Sequence, residues 1–406
     1  MEELLNMQQI KQTASWRPRS LIQWLLTFLS VVVLPVIVML AYYLLVPSDM
    51  NKIMSGLAWA MSLFPVVLLI ITLVIIVLLV LAFWKKALIA RTILIPLLLL
   101  LIFLIVQPII SMLSYAKSEN ISVSLSSHFF NKQDITKEPM QNVVYGKTTD
   151  GVELKLDVWT AKENSENTLK PAIVQVHGGG WVEGDKGQAP HWNQWLNELG
   201  YTVFDVQYRM PPHGGWKDEV GDIKSALGWV LTNADTYKID SKRINLMGYS
   251  AGGNLAMLAA YSMGSAQLPP STNVPEVHIN SVINFYGPAD MTIFYKNNPS
   301  IDYVQGVMKQ YIGGAPSQYP DRYKILSPIN YIQENTPPTI TFFGTGDRIV
   351  PEKQGKILDK ALAVNGVAHE FYLLPEVDHA FDTNPGSLST QFAREKVTVF
   401  LQKYNK

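Results

Sequence analysis

Two hydrophobic patterns divide the chain. In its first part, apolar residues form three long runs at about 21–46, 57–83 and 93–113, and none of the runs contains Asp, Glu, Lys, Arg or His. About 20 apolar helical residues cross a hydrocarbon core of ~30 Å. Later in the chain, short apolar segments alternate with amphipathic and polar ones. The first pattern predicts a membrane anchor of three transmembrane helices over 1–116, and the second predicts a globular domain over 143–406.

The basic residues beside the three runs predict their orientation. Three basic residues precede the first run, three lie between the second and third runs, and the loop 47–56 contains only one: in order, they are Lys11, Arg17, Arg19, Lys52, Lys85, Lys86 and Arg91. Because basic loops stay in the cytoplasm, we expect a cytoplasmic amino terminus in a multi-pass cell-membrane protein and an extracytoplasmic globular domain. The uncharged runs offer no ion path, so we interpret them as an anchor in the lipid bilayer.

The globular part has an α/β pattern. Short β-branched runs predict buried strands, and helical spacing separates them; the strand segments are 152–158, 171–176, 201–206, 243–247, 282–285, 339–343 and 370–374. Strands that alternate with helices predict a mostly parallel, doubly wound sheet. The polar, serine-rich segment 117–142 is predicted to be a linker or a lid. Residues 290–335 break the alternation, which predicts an insertion that covers the site.

Composition excludes several functions. The chain of 406 residues has 33 basic and 33 acidic residues, so it has no net charge to attract nucleic acid. It contains no cysteine, which excludes disulfides, thiolate metal sites and a cysteine nucleophile. We therefore expect no nucleic-acid partner, no metal and no cofactor.

The segment Gly248–Gly252 carries the strongest chemical signal. Its sequence is G-Y-S-A-G, and it lies between an apolar strand segment and the small-residue helical segment 254–261. In that setting a G-x-S-x-G sequence predicts a nucleophile elbow, a sharp turn that exposes the serine hydroxyl at the end of the sheet. Ser250 is the candidate nucleophile.

An acid and a base follow Ser250 in the chain. Asp347 and His379 each come directly after a predicted strand, so both are expected at the same sheet edge as Ser250. A carboxylate in that position can orient an imidazole and stabilise its charged form. Asp378 and Asp290 are lower-ranked candidates for the acid.

A glycine-rich loop precedes the elbow. His177 begins the sequence H-G-G-G-W after the strand segment 171–176. The N–H groups of Gly179, Gly180 and Ala251 are predicted to form an oxyanion hole, where each donor lowers the barrier by roughly 3 kcal/mol. A flexible glycine loop is the alternative interpretation. We interpret His177 as a structural hydrogen-bonding residue.

Three aromatic residues complete the predicted site. Trp181 ends the glycine-rich loop, Tyr249 precedes the nucleophile, and Tyr286 follows a predicted strand. We expect all three to contact the substrate; for Trp181, packing within the protein is the alternative interpretation.

From about residue 145 onwards the chain resembles the α/β-hydrolase superfamily. The H-G-G-G-W sequence from His177 and the S-A-G-G-N sequence from Ser250 resemble those of hormone-sensitive-lipase-like bacterial esterases. Tyr249 stands where that group has Asp. In this tyrosine, and in the G-x-x-D-x-x-V-P sequence that ends at Pro351, the chain is more similar to acetyl- and feruloyl-esterases and prolyl-oligopeptidase-like hydrolases. The resemblance implies an α/β-hydrolase fold and a serine carboxylic-ester hydrolase acting through an acyl-enzyme.

Other functions stay open at this point. A peptidase or amidase could use the same triad, and an acyltransferase could pass the acyl group to an alcohol. A binding protein on a hydrolase fold is a non-enzymatic alternative. The expected substrate is a small-molecule or carbohydrate ester.

Overall fold

The computed structural model describes residues 17–46, 56, 60, 65–131, 133–161 and 168–405. It divides into two compact units, Met1–Ile110 and Ser111–Lys406.

The first unit is helical. Each of its three helices in the described residues, α1 (Leu21–Leu45), α2 (Val66–Trp84) and α3 (Leu88–Ser118), is long and apolar enough to span a membrane. Helix α3 extends beyond the predicted third run at both ends. The predicted second run begins before α2. Residues 57–59 and 61–64 of that earlier part lie outside the described residues.

Small and branched side chains pack the three helices together. Leu26, Ile75, Ala90 and Leu94 are buried in one shared cluster. Many other apolar side chains on the same helices are exposed, including Phe28 and Leu73. Contiguous exposed apolar surface of this kind is typical of a segment that contacts lipid.

The second unit contains the α/β sheet that the sequence predicts. The strands are β1 (Met140–Lys147), β2 (Glu153–Trp159), β3 (Lys170–Val176), β4 (Thr202–Val206), β5 (Ile239–Tyr249), β6 (Ser281–Phe285), β7 (Thr339–Gly344) and β8 (His369–Leu374). The helices are α4 (Leu125–Phe130), α5 (Pro190–Glu198), α6 (Asp218–Thr232), α7 (Ala251–Tyr261), α8 (Met291–Lys296), α9 (Ile301–Ile312), α10 (Pro320–Ile325), α11 (Lys353–Val364) and α12 (Leu388–Tyr404).

The strand order brings the candidate residues to one edge. The order is β1-β2-β4-β3-β5-β6-β7-β8; β2 is antiparallel to β1 and β4, and every other neighbouring pair is parallel. Gly248 at the end of β5 pairs with Val176 on β3 and Asn284 on β6. The loops after β3, β5, β6, β7 and β8 therefore begin side by side, where ligands of such sheets bind.

The insertion between β6 and β7 is helical. It contains α8, α9, α10 and a 3₁₀ turn at Pro328–Tyr331. Helix α9 buries Val304, Met308, Tyr311 and Ile312, which is the i, i+4, i+7, i+8 spacing of an amphipathic helix. Tyr311 of that apolar face stacks on Trp181, which attaches the helix to the loop after β3.

The segment 117–142 lies along the second unit. The Ser124 N–H donates to Gln391 Oε1 at 2.7 Å, and Gln391 Nε2 donates to the Ser124 carbonyl at 3.0 Å. Further along, the Thr136 N–H donates to Gln194 Oε1 at 2.8 Å. These contacts attach the segment to α12 and α5, which makes it a docked strap. Phe130, in contrast, is 73% exposed.

Candidate active site

The elbow places Ser250 in a conformation that side chains rarely adopt. Its backbone angles are φ 53° and ψ −119°, between the end of β5 and the start of α7. A Cβ on Gly252 would lie 2.2 Å from the Val176 carbonyl oxygen, and one on Gly248 would lie 2.2 Å from the Gly252 carbonyl oxygen. Only glycine allows strand and helix to approach this closely.

The three predicted catalytic residues form one hydrogen-bonded chain. Ser250 Oγ lies 3.0 Å from His379 Nε2, and His379 Nδ1 lies 2.8 Å from Asp347 Oδ2. The other Asp347 oxygen accepts the N–H groups of Ile349 at 2.9 Å and Val350 at 2.7 Å. The carboxylate is thereby fixed by its own turn and orients the imidazole.

The surroundings of His379 favour its charged form. Burial lowers the pKa of the imidazole, but the Asp347 carboxylate raises it by charge and by hydrogen bonding, and the net pKa lies above its ordinary value. Asp378 and Asp382 add to this effect. The site can therefore hold a proton on His379 while a negative charge develops nearby.

The glycine loop lies against the nucleophile. A Cβ on Gly178 would lie 3.4 Å from Ser250 Cβ. Gly179 and Gly180 have positive φ angles of 117° and 59°, and a Cβ on Gly179 would lie 1.8 Å from the Glu183 carbonyl oxygen. Within the described residues, the N–H groups of Gly179, Gly180 and Ala251 donate to no protein acceptor. Donors that are left unpaired beside a nucleophile can bind an oxyanion.

His177, the first residue of this loop sequence, contacts the loop backbone and fixes its position. Its Nδ1 lies 2.7 Å from the Gly178 carbonyl oxygen, and its ring stacks on Tyr208 with centroids 4.2 Å apart. Burial lowers the pKa of His177 to about 4, so the ring is neutral near pH 7. These contacts give His177 a structural position away from the Ser250–His379–Asp347 chain.

The prediction that Trp181 contacts substrate is not supported by its placement. Trp181 is 2% exposed, and its ring stacks on Tyr311 of α9 at 5.2 Å. Its indole N–H donates to Asn254 Oδ1 at 3.3 Å, while Asn254 Nδ2 donates to the carbonyls of Pro288 at 2.9 Å and Leu326 at 3.3 Å. Asn254 thus joins the glycine loop, helix α7 and the insertion.

Replacing Asn254 with alanine is expected to destabilise the protein by about 3 kcal/mol, because it leaves the buried Trp181 N–H and two buried carbonyls without partners. A fall in the melting temperature of the full chain in detergent would measure this. Asn330→Ala is the matched control, since among the described residues its side-chain amide donates to the Lys324 carbonyl alone, at an exposed position. Equal melting temperatures for the two variants would contradict the bridging role.

Tyr249 and Tyr286 also use their hydroxyl groups within the protein. The Tyr249 hydroxyl donates to Gln175 Oε1 at 3.2 Å, and its ring packs on Phe285 inside the core. The Tyr286 hydroxyl donates to Asp382. The expectation that Tyr249 and Tyr286 contact the substrate gains no support from this placement, since strand alternation turns Tyr249 into the core and a buried carboxylate holds the Tyr286 hydroxyl.

The lower-ranked acids have other partners. Asp378 forms an ion pair with Arg348 at 2.6 Å and accepts the backbone N–H of His379 at 2.7 Å. Asp290 caps α8 by accepting the Ile293 N–H at 2.8 Å. The hydrogen bond of His379 Nδ1 goes to Asp347, which makes Asp347 the best candidate for the acid among the described residues.

Asp382 and Trp192 lie beside the site but carry no signal in the sequence that connects them to it. Asp382 lies in a 3₁₀ turn, Phe381–Thr383, directly after the His379 loop. Its Oδ2 accepts the Trp192 indole N–H at 3.0 Å. The two residues lie 190 positions apart, so no spacing in the sequence connects them.

Several known proteins with similar sequences are named esterases. The chain is 29% identical over 256 residues to the esterase LipQ and 27% identical over 276 residues to the esterase LipC, both from Mycobacterium tuberculosis (strain ATCC 25618 / H37Rv). These matches cover 62% and 66% of this chain and 59% and 65% of the relatives. The chain thus spans less than two thirds of their length.

Solved structures share the fold of the second unit. A thermophilic esterase, Est2 from Thermogutta terrifontis, is 26% identical with a TM-score of 0.53, over 65% of this chain and 92% of that one. A truncated carbohydrate esterase from gut microbiota is 24% identical with a TM-score of 0.57, over 68% of this chain and 99% of that one. The second likeness concerns the fold only.

A family match covers the same region. Residues 156–362 match the BD-FAE family, which is just over half of the chain. The matched range includes the glycine loop, the elbow and Asp347, whose geometry is that of an α/β hydrolase. The chain therefore belongs to the BD-FAE family.

Proposed function

We propose that this protein is a membrane-anchored serine carboxylic-ester hydrolase. The observation that carries the proposal is the hydrogen-bonded chain from Ser250 through His379 to Asp347, with contacts of 3.0 and 2.8 Å. The glycine loop with its unpaired N–H groups beside Ser250 supports the same chemistry, and so do the relatives that are named esterases.

Acylation begins at the Ser250 hydroxyl. His379 Nε2 removes the hydroxyl proton while Oγ attacks the ester carbonyl carbon, and Asp347 stabilises the imidazolium that forms. The carbonyl oxygen becomes an oxyanion, which accepts hydrogen bonds from Gly179, Gly180 and Ala251. When the tetrahedral intermediate collapses, the imidazolium gives its proton to the leaving alcohol.

Deacylation repeats these steps with water. His379, neutral again, removes a proton from a water molecule that attacks the acyl-enzyme, and the Ser250 oxygen leaves with that proton.

Because acylation and deacylation both require the neutral imidazole, kcat/KM falls as the pH drops through the His379 pKa. Asp347 raises that pKa, so the acid limb lies above the ordinary pKa of histidine.

The substrate class proposed is a small-molecule or carbohydrate ester. The insertion packs its α9 helix on the glycine loop: a Cβ on Gly180 would lie 3.3 Å from the Tyr303 hydroxyl and 3.4 Å from Val307. This close cover favours a compact acyl group over a long chain.

The full chain in detergent tests the proposal. We expect hydrolysis of nitrophenyl acetate and butyrate, a lower rate with nitrophenyl octanoate, and stoichiometric labelling of Ser250 by a fluorophosphonate. Ser265→Ala, on the loop after α7, should label like the wild type. Absence of both hydrolysis and labelling in the wild type would favour a non-catalytic binding protein.

The orientation in the membrane is proposed from the basic loops. Since the chain has no cysteine, single cysteines report it directly. Cysteine at Lys360, exposed on α11, should react with a membrane-impermeant maleimide on intact cells. Cysteine at Lys86, exposed between α2 and α3, should react only after permeabilisation. The reverse pattern would place the hydrolase domain in the cytoplasm.

A further inference from the structure

A second buried carboxylate lies behind the candidate base. Asp382 is 4% exposed, three residues after His379. Its Oδ1 accepts the Tyr286 hydroxyl and its Oδ2 accepts the Trp192 indole N–H at 3.0 Å. The Asp382 carbonyl oxygen also lies 2.8 Å from His191 Nε2. Burial raises the pKa of the Asp382 carboxyl, while the hydrogen bonds from Tyr286 and Trp192 and the nearby His379 oppose that rise and favour the ionised form.

Tyr286 connects this carboxylate to the imidazole. The Tyr286 ring packs on the His379 ring with centroids 4.5 Å apart and planes at 58°. At its other end, the Tyr286 backbone N–H donates to the Phe342 carbonyl at 2.8 Å, and its φ angle is 42°. Because Tyr286 is held both by β7 and by Asp382, its ring fixes one side of the imidazole.

Helices α5 and α12 support the arrangement from outside. The Arg394 guanidinium lies over the Trp192 ring at 5.3 Å. Arg394 Nη2 donates to the His191 carbonyl at 3.1 Å and to Gln133 Oε1, in the strap, at 2.8 Å. Trp192 and His191, which contact Asp382, are therefore fixed in turn by Arg394.

The titratable groups around His379 come from three parts of the chain. Asp347 follows β7, and Asp378 and Asp382 belong to the segment after β8. Tyr286 follows β6, and burial raises the pKa of its hydroxyl, so it is neutral. Asp378 is neutralised by Arg348 at 2.6 Å. Asp382 interacts with Arg394 and Tyr249 through charge but contacts neither. Of the two carboxylates that add to the effect of Asp347 on His379, Asp378 is thus paired with Arg348, whereas Asp382 forms no ion pair within the part of the chain that the structure describes.

We propose that Asp382 and Tyr286 are positioning residues for His379, with the Asp382–Tyr286 pair holding the imidazole in line with Ser250 and the Asp382 charge stabilising the imidazolium formed during acylation. The proton moves as in the proposed mechanism, from Ser250 Oγ to His379 Nε2 and then to the leaving alcohol. Asp382 takes no proton. The inference rests on the proposed function, since it concerns the same base.

Asp382→Asn in the full chain in detergent is the main test. We expect kcat per fluorophosphonate-titrated site to fall about 10- to 100-fold, with KM little changed, because a small misalignment of the base has effects of this order. The acid limb of kcat/KM should move to lower pH, because loss of a negative charge lowers the His379 pKa. Asp382→Glu, which restores the charge, should return the acid limb towards the wild-type position.

Tyr286→Phe separates position from charge. It keeps the ring and the carboxylate, so we expect a smaller loss in kcat than in Asp382→Asn and an acid limb at the wild-type pH.

If Asp382→Asn lowers only the melting temperature, with kcat per titrated site and the acid limb as in the wild type, the positioning role is overturned. If Asp382→Asn does not fold, a wild-type kcat in Tyr286→Phe overturns it instead. A wild type that neither hydrolyses esters nor labels would remove the proposed function itself.

Discussion

Ser250→Ala is expected to lower kcat for nitrophenyl ester hydrolysis by about 10⁵- to 10⁶-fold, the size of loss seen when the nucleophile of a Ser-His-Asp triad is removed. The variant retains the glycine loop, whose N–H groups are proposed to bind the polarised carbonyl oxygen, so a residual rate above that of water should persist. Single-turnover hydrolysis by the full chain in detergent measures both rates.

The control for this variant is its fold. Ser250 Oγ is engaged only with His379 among the described residues, so alanine should leave the melting temperature close to that of the wild type. Loss of fluorophosphonate labelling together with an intact melting temperature would establish Ser250 as the nucleophile. Retention of more than about a tenth of kcat would place the chemistry on another residue.

Asp347→Asn is expected to lower kcat by about 10⁴-fold with little effect on KM. The reason lies in the hydrogen bonds of Asp347. Its Oδ1 already accepts the N–H groups of Ile349 and Val350, so the amide of an asparagine must turn its NH₂ group towards His379. Nδ1 then becomes the acceptor and the proton moves to Nε2, which can no longer accept the Ser250 proton. A pH–rate profile at single turnover measures the loss.

Asp378→Asn is the matched control for Asp347→Asn. Asp378 is equally buried and adjacent to His379, but the hydrogen bond that it accepts comes from the backbone N–H of His379 rather than from the ring. Breaking its ion pair with Arg348 should reduce the free energy of unfolding by about 3 kcal/mol, since one buried charge is left unpaired. Its kcat should fall far less than that of Asp347→Asn. Equal losses in the two variants would contradict the assignment of the acid.

The fold and the order of the site residues could be predicted because both follow from local patterns. Buried parallel strands are continuous apolar runs, and the residues after them must meet at one sheet edge. That reasoning is sufficient to place Ser250, Asp347 and His379 together. It also ranks Asp347 above Asp378, because neighbours in a tight loop point in different directions.

Side-chain direction and long-range pairs could not be predicted. Tyr249 adjoins the nucleophile in sequence, yet its ring belongs to the core. The Asp382–Trp192 contact joins elements far apart in the chain. Strand β1 has an irregular exposed pattern with two register shifts, so its sequence lacks strand alternation.

The backbone angles of Ser250 have a consequence for evolution. A side chain at φ 53° and ψ −119° costs about 1–3 kcal/mol relative to a relaxed backbone, and glycine would remove most of that cost. Selection for heat resistance alone would therefore favour glycine at the one position where the proposed chemistry requires serine. Thermal robustness and turnover are opposed at this residue, and stabilising changes that preserve activity must be found elsewhere in the chain.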